Sequence, residues 1–351
     1  MVSTRMHEVE YKMQSSNPIV SICCITYNHE KYIRDTIEGF LMQNTSFPME
    51  IIIHDDCSID NTVNIIGEYV DKYPELITPI FQKENQYSQG CKIFPIVFER
   101  AKGKYIAVCE GDDYWTDPQK LQRQTDFLEA HPEYVMVAEN AIFYNLIDET
   151  KRKFRELPER DIDTLELLGA RPFATASVLF RNLGKKIIPG GEDSGDTILW
   201  CHLSKLGKIR YLEDVSSVYR HHSEGVTEGD LIQWSKKMVS WNNTLTQNHP
   251  EIDSSVFKKR NLDQFKFPIG NLIANNLYKK AILIADELIN ATGEPSEYRE
   301  EVYQLIENLL RQKDNSLSLK IGSAVTTPVN FMQQEIKRLI KIMGMLFQKD
   351  Q

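Results

Sequence analysis

The sequence predicts an α/β fold, a doubly wound and mostly parallel sheet flanked by helices, followed by a mainly helical C-terminal region. Three observations carry this. Apolar runs of strand length recur between residues 18 and 145, as expected for parallel strands covered on both faces. Segments with apolar residues at helical spacing separate them, and repeated βα units of this length wind right-handed about one sheet. Beyond about residue 230 the strand-like runs stop and helical spacing takes over.

The elements follow in order. Ile19 to Thr26 is an unbroken apolar run and reads as the first strand; Tyr32, Ile33, Ile37, Phe40 and Leu41 then recur at helical steps. Met49 to His54 is the second strand, Asp60 to Tyr73 the second helix, and Ile77 to Phe81 the third strand. A loop with Asn85 and Gly90 leads to a helix over roughly Ile93–Ala101. Tyr105 to Cys109 is the fourth strand. Asp117-Pro118 reads as an N-cap with proline at the first position of a helix running to Ala130. Tyr134–Asn145 is a further strand, and Asp148 to Arg160 is charge-rich and expected to be a surface loop. Ala174 to Phe180 and Ile209 to Tyr219 return as strands, with a helix between them that Asp196 begins as its cap and Gly207 follows. The expected organisation is a tail over 1–17, an α/β domain over 18–229 and a helical region over 230–351.

Composition narrows the function. A formal charge of −9 over 351 residues implies no broad basic surface, so nucleic acid is not expected as a partner. The six cysteines form no CxxC pair, and several sit in apolar strands, which suits small buried hydrophobes in a reducing compartment. The N-terminus lacks an apolar signal core, and no stretch approaches the roughly 18 apolar residues a spanning helix needs. A cytoplasmic location is therefore expected.

The strand ends carry the chemistry. Thr26-Tyr-Asn-His-Glu30, His54-Asp-Asp-Cys-Ser58 and Glu110-Gly-Asp-Asp113 each end a buried strand in polar residues, and in a parallel sheet these tips share one edge, where ligands bind. Glu110, Asp112 and Asp113 are the most informative: adjacent carboxylates repel, desolvating them is costly, and a divalent cation removes the cost. Hard oxygen ligands suit magnesium or manganese, so this tip reads as a metal site holding a nucleotide diphosphate. Asp196 and the Arg220-His-His222 run supply a fourth group of polar residues.

These motifs, in this order, resemble family 2 glycosyltransferases with the GT-A fold, of the bacterial cell-surface glycan type, over roughly residues 18–225. The carriers are Pro18 to Asn28, Asp55-Asp-Cys-Ser-Ile-Asp-Asn-Thr62, Glu110-Gly-Asp-Asp-Tyr-Trp115, Gly195-Asp196 and Tyr219-Arg-His-His222. The chain departs from the family at Ile25, where a proline is usual, and at Glu110, where the metal motif usually opens with aspartate. The resemblance implies that Thr26, Tyr27 and Asn28 line the nucleoside pocket and that Asp56 accepts from the base with Asp55 supporting its loop. It implies Asp112 as principal metal ligand, assisted by Asp113 and Glu110, with His222 near the metal or diphosphate and Arg220 at the leaving phosphate. His221 competes for the role of His222. Asp196 would be the general base, with Glu192 and Asp193 close by as alternatives. The implied reaction is inverting, Mn2+- or Mg2+-dependent transfer of a sugar, most commonly from a UDP-sugar, to a hydroxyl of a glycan or lipid-linked oligosaccharide. One base on the attacking face suffices for direct displacement.

Other classes fit less well. A nucleotidyltransferase would show a Gly-rich basic loop after the first strand, which Thr26 to Glu30 is not, and neither a GxGxxG nor a P-loop is present. An inactive nucleotide-sugar or glycan-binding module would have no need to keep Asp112, Asp113 and Asp196 together. The last segment, with Phe331, Ile336, Leu339, Ile340, Met343, Leu346 and Phe347 among Lys337, Arg338, Lys341 and Lys349, fits a helix lying on an anionic membrane at the inner face of the cell. It equally fits a helix packed on the protein body or on a second copy in a homo-oligomer.

Overall fold

The structure is a computed structural model, and it describes residues 17–169, 171–190, 195–223, 231–275, 277–292 and 295–321. Contacts divide the chain into two compact units, Met1–Gly225 and Val226–Gln351. The expected membrane or packing helix over Phe331 to Phe347, and the tail over 1–16, lie outside the described residues.

In the first unit the leading βα repeats form as the periodicity predicts. Strands β1 (Val20–Thr26), β2 (Met49–Asp55), β3 (Ile77–Phe81) and β4 (Tyr105–Glu110) pair in parallel in the order β3-β2-β1-β4. Helices α1 (Ile33–Leu41), α2 (Thr62–Lys72) and α3 (Ile93–Phe98) connect them. Burial explains the apolar runs: Val20, Ile22 and Cys24 of β1 and Ile51 and Ile53 of β2 share one core with Ile33, Ile37 and Phe40, the i, i+4, i+7 face of α1.

The second half of the sheet is mixed. β5 (Tyr114–Trp115), β6 (Tyr134–Asn145), β7 (Thr150–Lys153), β8 (Arg160–Ile162), β9 (Val178–Arg181) and β10 (Lys208–His221) extend the order as β4-β9-β6-β10-β5. β10 runs parallel to β6, but β9 is antiparallel to both β4 and β6. The charge-rich stretch expected as a loop contains β7, which pairs antiparallel with β6; its four polar residues are all exposed, so no apolar run announces it. The helix expected from Pro118 begins two residues later, as α4 (Lys120–Ala130). Asp117 accepts from the Gln119 amide at 2.9 Å and holds Arg123 at 2.7 Å, closing a turn ahead of the helix. The apolar stretch after Phe173 opens as a 3-10 turn, Thr175–Ser177, before β9, and α5 (Thr164–Gly169) precedes it. α6 (Asp196–Leu203) begins with Asp196 in its first turn and Gly195 as the N-cap, one residue earlier than expected.

The second unit contains α7 (Leu231–Asn248), α8 (Ser254–Ala274), α9 (Tyr278–Ala291) and α10 (Pro295–Ile321). Val239, Phe265, Ile269, Ala285, Leu288, Val302 and Ile306 form its own core. Asp253 caps α8 by accepting from the Ser255 amide at 2.8 Å. No helix among the described residues is long and apolar enough to cross a membrane.

Lys120 is wholly buried in the first unit. Its ammonium lies 4.5 Å from the Trp115 ring and donates to Gln124 Oε1 at 2.8 Å, and burial pushes it down to about 8. A lysine with a lowered pKa in the fold costs stability below that value, and the cost fades as the pH rises toward the ordinary lysine range. The stability of the wild type relative to Lys120→Met should therefore rise by about 2–3 kcal/mol between pH 7 and pH 10. Urea unfolding of both proteins at the two pH values measures it, and a constant difference would exclude the buried ammonium as the cause.

Candidate active site

Register brings the strand tips together. Thr26 pairs with Asp55 across β1 and β2, and Ile25 with Glu110 across β1 and β4, so three polar tips end at the same level. The β1 and β2 loops are stitched to each other. The Asn28 amide donates to Ser58 Oγ at 2.8 Å and its side-chain oxygen accepts from the Ile59 amide at 2.9 Å. The His29 amide donates to Thr62 Oγ1 at 2.8 Å. Asp55, fully buried, accepts from both the amide and the hydroxyl of Ser58. Asn28 and Cys57 both hold positive φ, 56° and 67°, a strained conformation for residues with a Cβ and one that gathers at ligand sites. Tyr27, between Thr26 and Asn28, stands 41% exposed.

Asp56 is committed to the neighbouring loop. Its two carboxylate oxygens accept from the Gln86 and Tyr87 amides at 2.8 and 2.9 Å, which anchors the 3-10 turn Tyr87–Gln89. Each oxygen retains a second lone pair.

At the β4 tip the backbone is pressed against β1. A Cβ on Gly111 would meet Thr26 Oγ1 at 2.5 Å and His29 Nδ1 at 2.9 Å, so only glycine lets the acidic loop lie this close. The Thr36 hydroxyl, on α1, reaches the carbonyls of Gly111 and Asp113 at 2.9 and 2.6 Å and fixes the loop from below. The three carboxylates then diverge. Glu110 is half-buried with one buried oxygen unpartnered; desolvation, with Asp112 and Asp196 nearby, pushes its carboxyl up to about 8 against the pull of Arg171. Asp112 opens toward solvent and faces two imidazoles, His222 Nε2 at 3.2 Å and His29 Nε2 at 3.7 Å. Burial works to raise its carboxyl, but the His222 hydrogen bond and the two histidines outweigh burial and hold it below the ordinary range.

Asp113 turns to the backbone of β10. It is 2% exposed, its Oδ1 accepts from the Arg220 backbone amide at 2.9 Å, and burial beside Asp112 and Glu110 pushes its carboxyl well above the carboxylate range. Asp113 thereby ties β10 to the acidic loop. Among the described residues no group of three or more His, Cys, Asp or Glu side chains stands ready to hold a metal ion. The pair Asp112–His222 is what faces the opening, with buried His222 Nδ1 unpartnered. A carboxylate oxygen and an imidazole fit a divalent cation that takes its remaining ligands from a diphosphate.

The choice between the adjacent histidines is made by strand alternation. His222 turns to Asp112 and packs on Tyr32 at 4.6 Å, whereas His221 stacks on Phe143. Arg220 is buried between the Tyr114 and Tyr32 rings at 4.4 and 5.1 Å, with Nη1 3.0 Å from Asp35 and Nε and Nη2 unpartnered.

Asp196 is brought to the same edge by a residue that sequence reasoning missed. Arg171 Nη2 lies 2.7 Å from Asp196 Oδ2 and 2.9 Å from Thr175 Oγ1, and Thr175 reaches the same carboxylate oxygen at 3.2 Å. The Thr175–Ser177 turn that presents this hydroxyl is held from beneath: Trp115 Nε1 donates to the Ala176 carbonyl at 2.7 Å, and Gln124 Nε2 to that of Ser177 at 2.8 Å. No spacing or motif marks Arg171, which is found by its distance to an acid; His29 lies in the polar tip of β1, and its role appears from its distance to Asp112. Glu192 and Asp193, the alternatives for the base, lie outside the described residues.

The sequence profile described as Glycosyl transferase family 2 matches residues 21–182. An uncharacterised protein of Mycobacterium tuberculosis is 39% identical over 212 residues, 59% of this chain and 60% of the relative, so the chain spans less than two thirds of that protein's length. The Escherichia coli UDP-Glc:alpha-D-GlcNAc-diphosphoundecaprenol beta-1,3-glucosyltransferase WfaP is 30% identical over 229 residues, 65% of this chain and 85% of that protein. Among solved structures, residues 1–349 of Staphylococcus aureus TarS superpose with a TM-score of 0.55 over 95% of this chain and 92% of that one, at 16% identity, a likeness of fold.

The contact at Gly111 is testable. Gly111→Ala should destabilise the protein by roughly 1–3 kcal/mol, the usual cost of overpacking, because Thr26 on a central strand cannot retreat. It should also weaken binding of UDP. Thermal unfolding with UDP calorimetry measures both, and a variant with wild-type stability and affinity would show that the loop has room to move.

Proposed function

The chain belongs to glycosyltransferase family 2, with the GT-A fold, and on that premise we propose that it is an inverting, metal-dependent transferase. It moves a sugar from a UDP-sugar to a hydroxyl of a lipid-linked precursor of a bacterial cell-surface glycan. The observation that carries this reading is the position of two acidic centres around one half-buried glutamate. Asp112, which His222 contacts, and the Asp196–Arg171 pair both act electrostatically on Glu110 at the end of β4. The name of the Escherichia coli relative, with its UDP-glucose donor and diphosphoundecaprenol acceptor, supports the choice of donor and acceptor class.

Each residue then has a task. Tyr27 packs on the base at the mouth of the site, Thr26 and Asn28 shape the pocket, and Asp56, held by Asp55's loop, offers its remaining lone pairs to the imide N–H. Asp112 and His222 would hold Mn2+ or Mg2+, which when bound offsets the charge of the diphosphate. Arg220, stacked between two tyrosines and carrying unpartnered N–H groups, receives the leaving phosphate. Asp196 takes the proton of the attacking acceptor hydroxyl as the anomeric bond forms on that face, and Arg171 with Thr175 fixes the orientation of its carboxylate. The reaction runs at the cytoplasmic face, where nucleotide sugars are made.

Two substitutions separate these roles. Asp112→Asn should abolish transfer and sharply weaken UDP binding in manganese; calorimetry with and without EDTA reads it, and affinity that ignores both the variant and the chelator would remove the metal from the site. Asp196→Asn keeps size but loses the proton acceptor, so donor affinity should persist while turnover falls by roughly two to four decades. Donor hydrolysis and transfer assays across UDP-, GDP- and dTDP-sugars measure it. An active Asp196→Asn beside a dead Asp193→Asn would move the base to the preceding loop.

A further inference from the structure

Next to the base lies a cationic strip in a chain whose formal charge is −9. Arg152 of β7 stands opposite Phe143 of β6, with its guanidinium 4.4 Å from that ring. Phe143 in turn stands opposite Tyr219 of β10, ring to ring at 5.8 Å, and Phe154 meets Tyr219 edge-on at 5.7 Å. The Arg171 guanidinium lies 5.9 Å from the Tyr219 ring and 2.7 Å from Asp196. Arg155 Nε donates to the Arg171 carbonyl at 2.6 Å. Three arginines thus gather beside one aromatic floor that ends at the base. Lys151, the neighbour of Arg152, lies over Tyr144 on the other face of the hairpin.

The strip is short of negative charge. Among the described residues Arg171 has Asp196 as a partner, while no carboxylate is paired with Arg152 or Arg155. Burial lowers the Arg155 pKa, and the charges of Arg152 and Arg171 lower it further. Arg152 and Arg155, held beside Arg171 with no carboxylate of their own, carry a cost that an anionic ligand offsets, and guanidinium forks match phosphate oxygens two at a time.

We propose that Arg152, Arg155 and Arg171 form an acceptor subsite that binds a phosphate group of the acceptor substrate. The proposal rests on the glycosyltransferase reading above. The donor's diphosphate is not the occupant, because the Asp112–His222 pair and Arg220 serve it, whereas this strip begins at Asp196, where the attacking hydroxyl must stand. A bilayer is not the occupant either: Asp148 and Glu149, both exposed, sit at the tip of the same hairpin and repel anionic headgroups.

Farnesyl diphosphate is a soluble probe of a lipid-borne phosphate. Titrated by calorimetry into the full chain saturated with UDP and manganese, it should bind. Arg152→Gln and Arg155→Gln should each weaken that binding roughly tenfold at low salt, while Lys151→Gln stays within about twofold. UDP affinity should be unchanged in all three, which also reports that they are folded. Farnesol phosphate should follow the same order of variants and neutral farnesol should not bind measurably. Equal loss in Lys151→Gln and Arg152→Gln would overturn the subsite in favour of diffuse attraction. So would variants that keep the affinity for farnesyl diphosphate but no longer sediment with phosphatidylglycerol vesicles, which would assign the strip to the bilayer. A wild type that does not bind UDP would instead overturn the glycosyltransferase reading, and the subsite with it.

Discussion

The crowding of three carboxylates at the end of a buried strand is the constraint on which the rest of the first unit depends. Glu110, Asp112 and Asp113 are too close, and two of them too dry, to be charged together without help. The fold separates their fates. Asp113 accepts from the backbone of β10, Asp112 faces two histidines, and Glu110 keeps one buried oxygen unsatisfied. A ligand that brings positive charge to that edge relieves what the protein alone does not.

Strand direction decides what else can reach the edge. β9 runs antiparallel to β4, so the 3-10 turn that precedes β9 arrives beside the C-terminal end of β4. Thr175 therefore meets Asp196 next to Glu110, which a parallel strand in the same position would have placed at the opposite edge. β10 is parallel to β6 and long, with register shifts between Tyr211 and Ser217, and its end delivers the Arg220 amide and His222 to the acidic loop. The buried contacts beneath, Trp115 to Ala176 and Gln124 to Ser177, turn this proximity into a fixed arrangement.

The left-handed residues Asn28 and Cys57 and the close approach at Gly111 have a common cause. The loops after β1, β2 and β4 must turn sharply at the same level of the sheet while sharing one small space. Asn28, Asp55 and Asp56 accept hydrogen bonds from neighbouring backbone amides and so hold the turns. Rigidity here has a chemical use, since a pocket formed before the ligand arrives spends less binding energy on ordering itself.

The sequence alone determined the βα repeats of the first half, because a strand covered on both faces must be apolar along its length. It also marked the tips, because a buried strand that ends in acids must hand them to water, a partner or a ligand. Thr26, Asp55, Glu110 and Asp112 were legible on that ground, and the family resemblance added Asp196 and His222. Tertiary structure decided the rest. Whether Asp113 faces a ligand or a backbone amide depends on a strand more than a hundred residues away. Arg171 belongs to no periodic or spaced pattern and gains meaning only from its 2.7 Å distance to Asp196. β7 was hidden because its residues are all exposed, and the antiparallel course of β9 because apolar residues bury equally well in either direction. Local pattern records what a residue needs from solvent; which partner meets that need is set by the path of the chain through space.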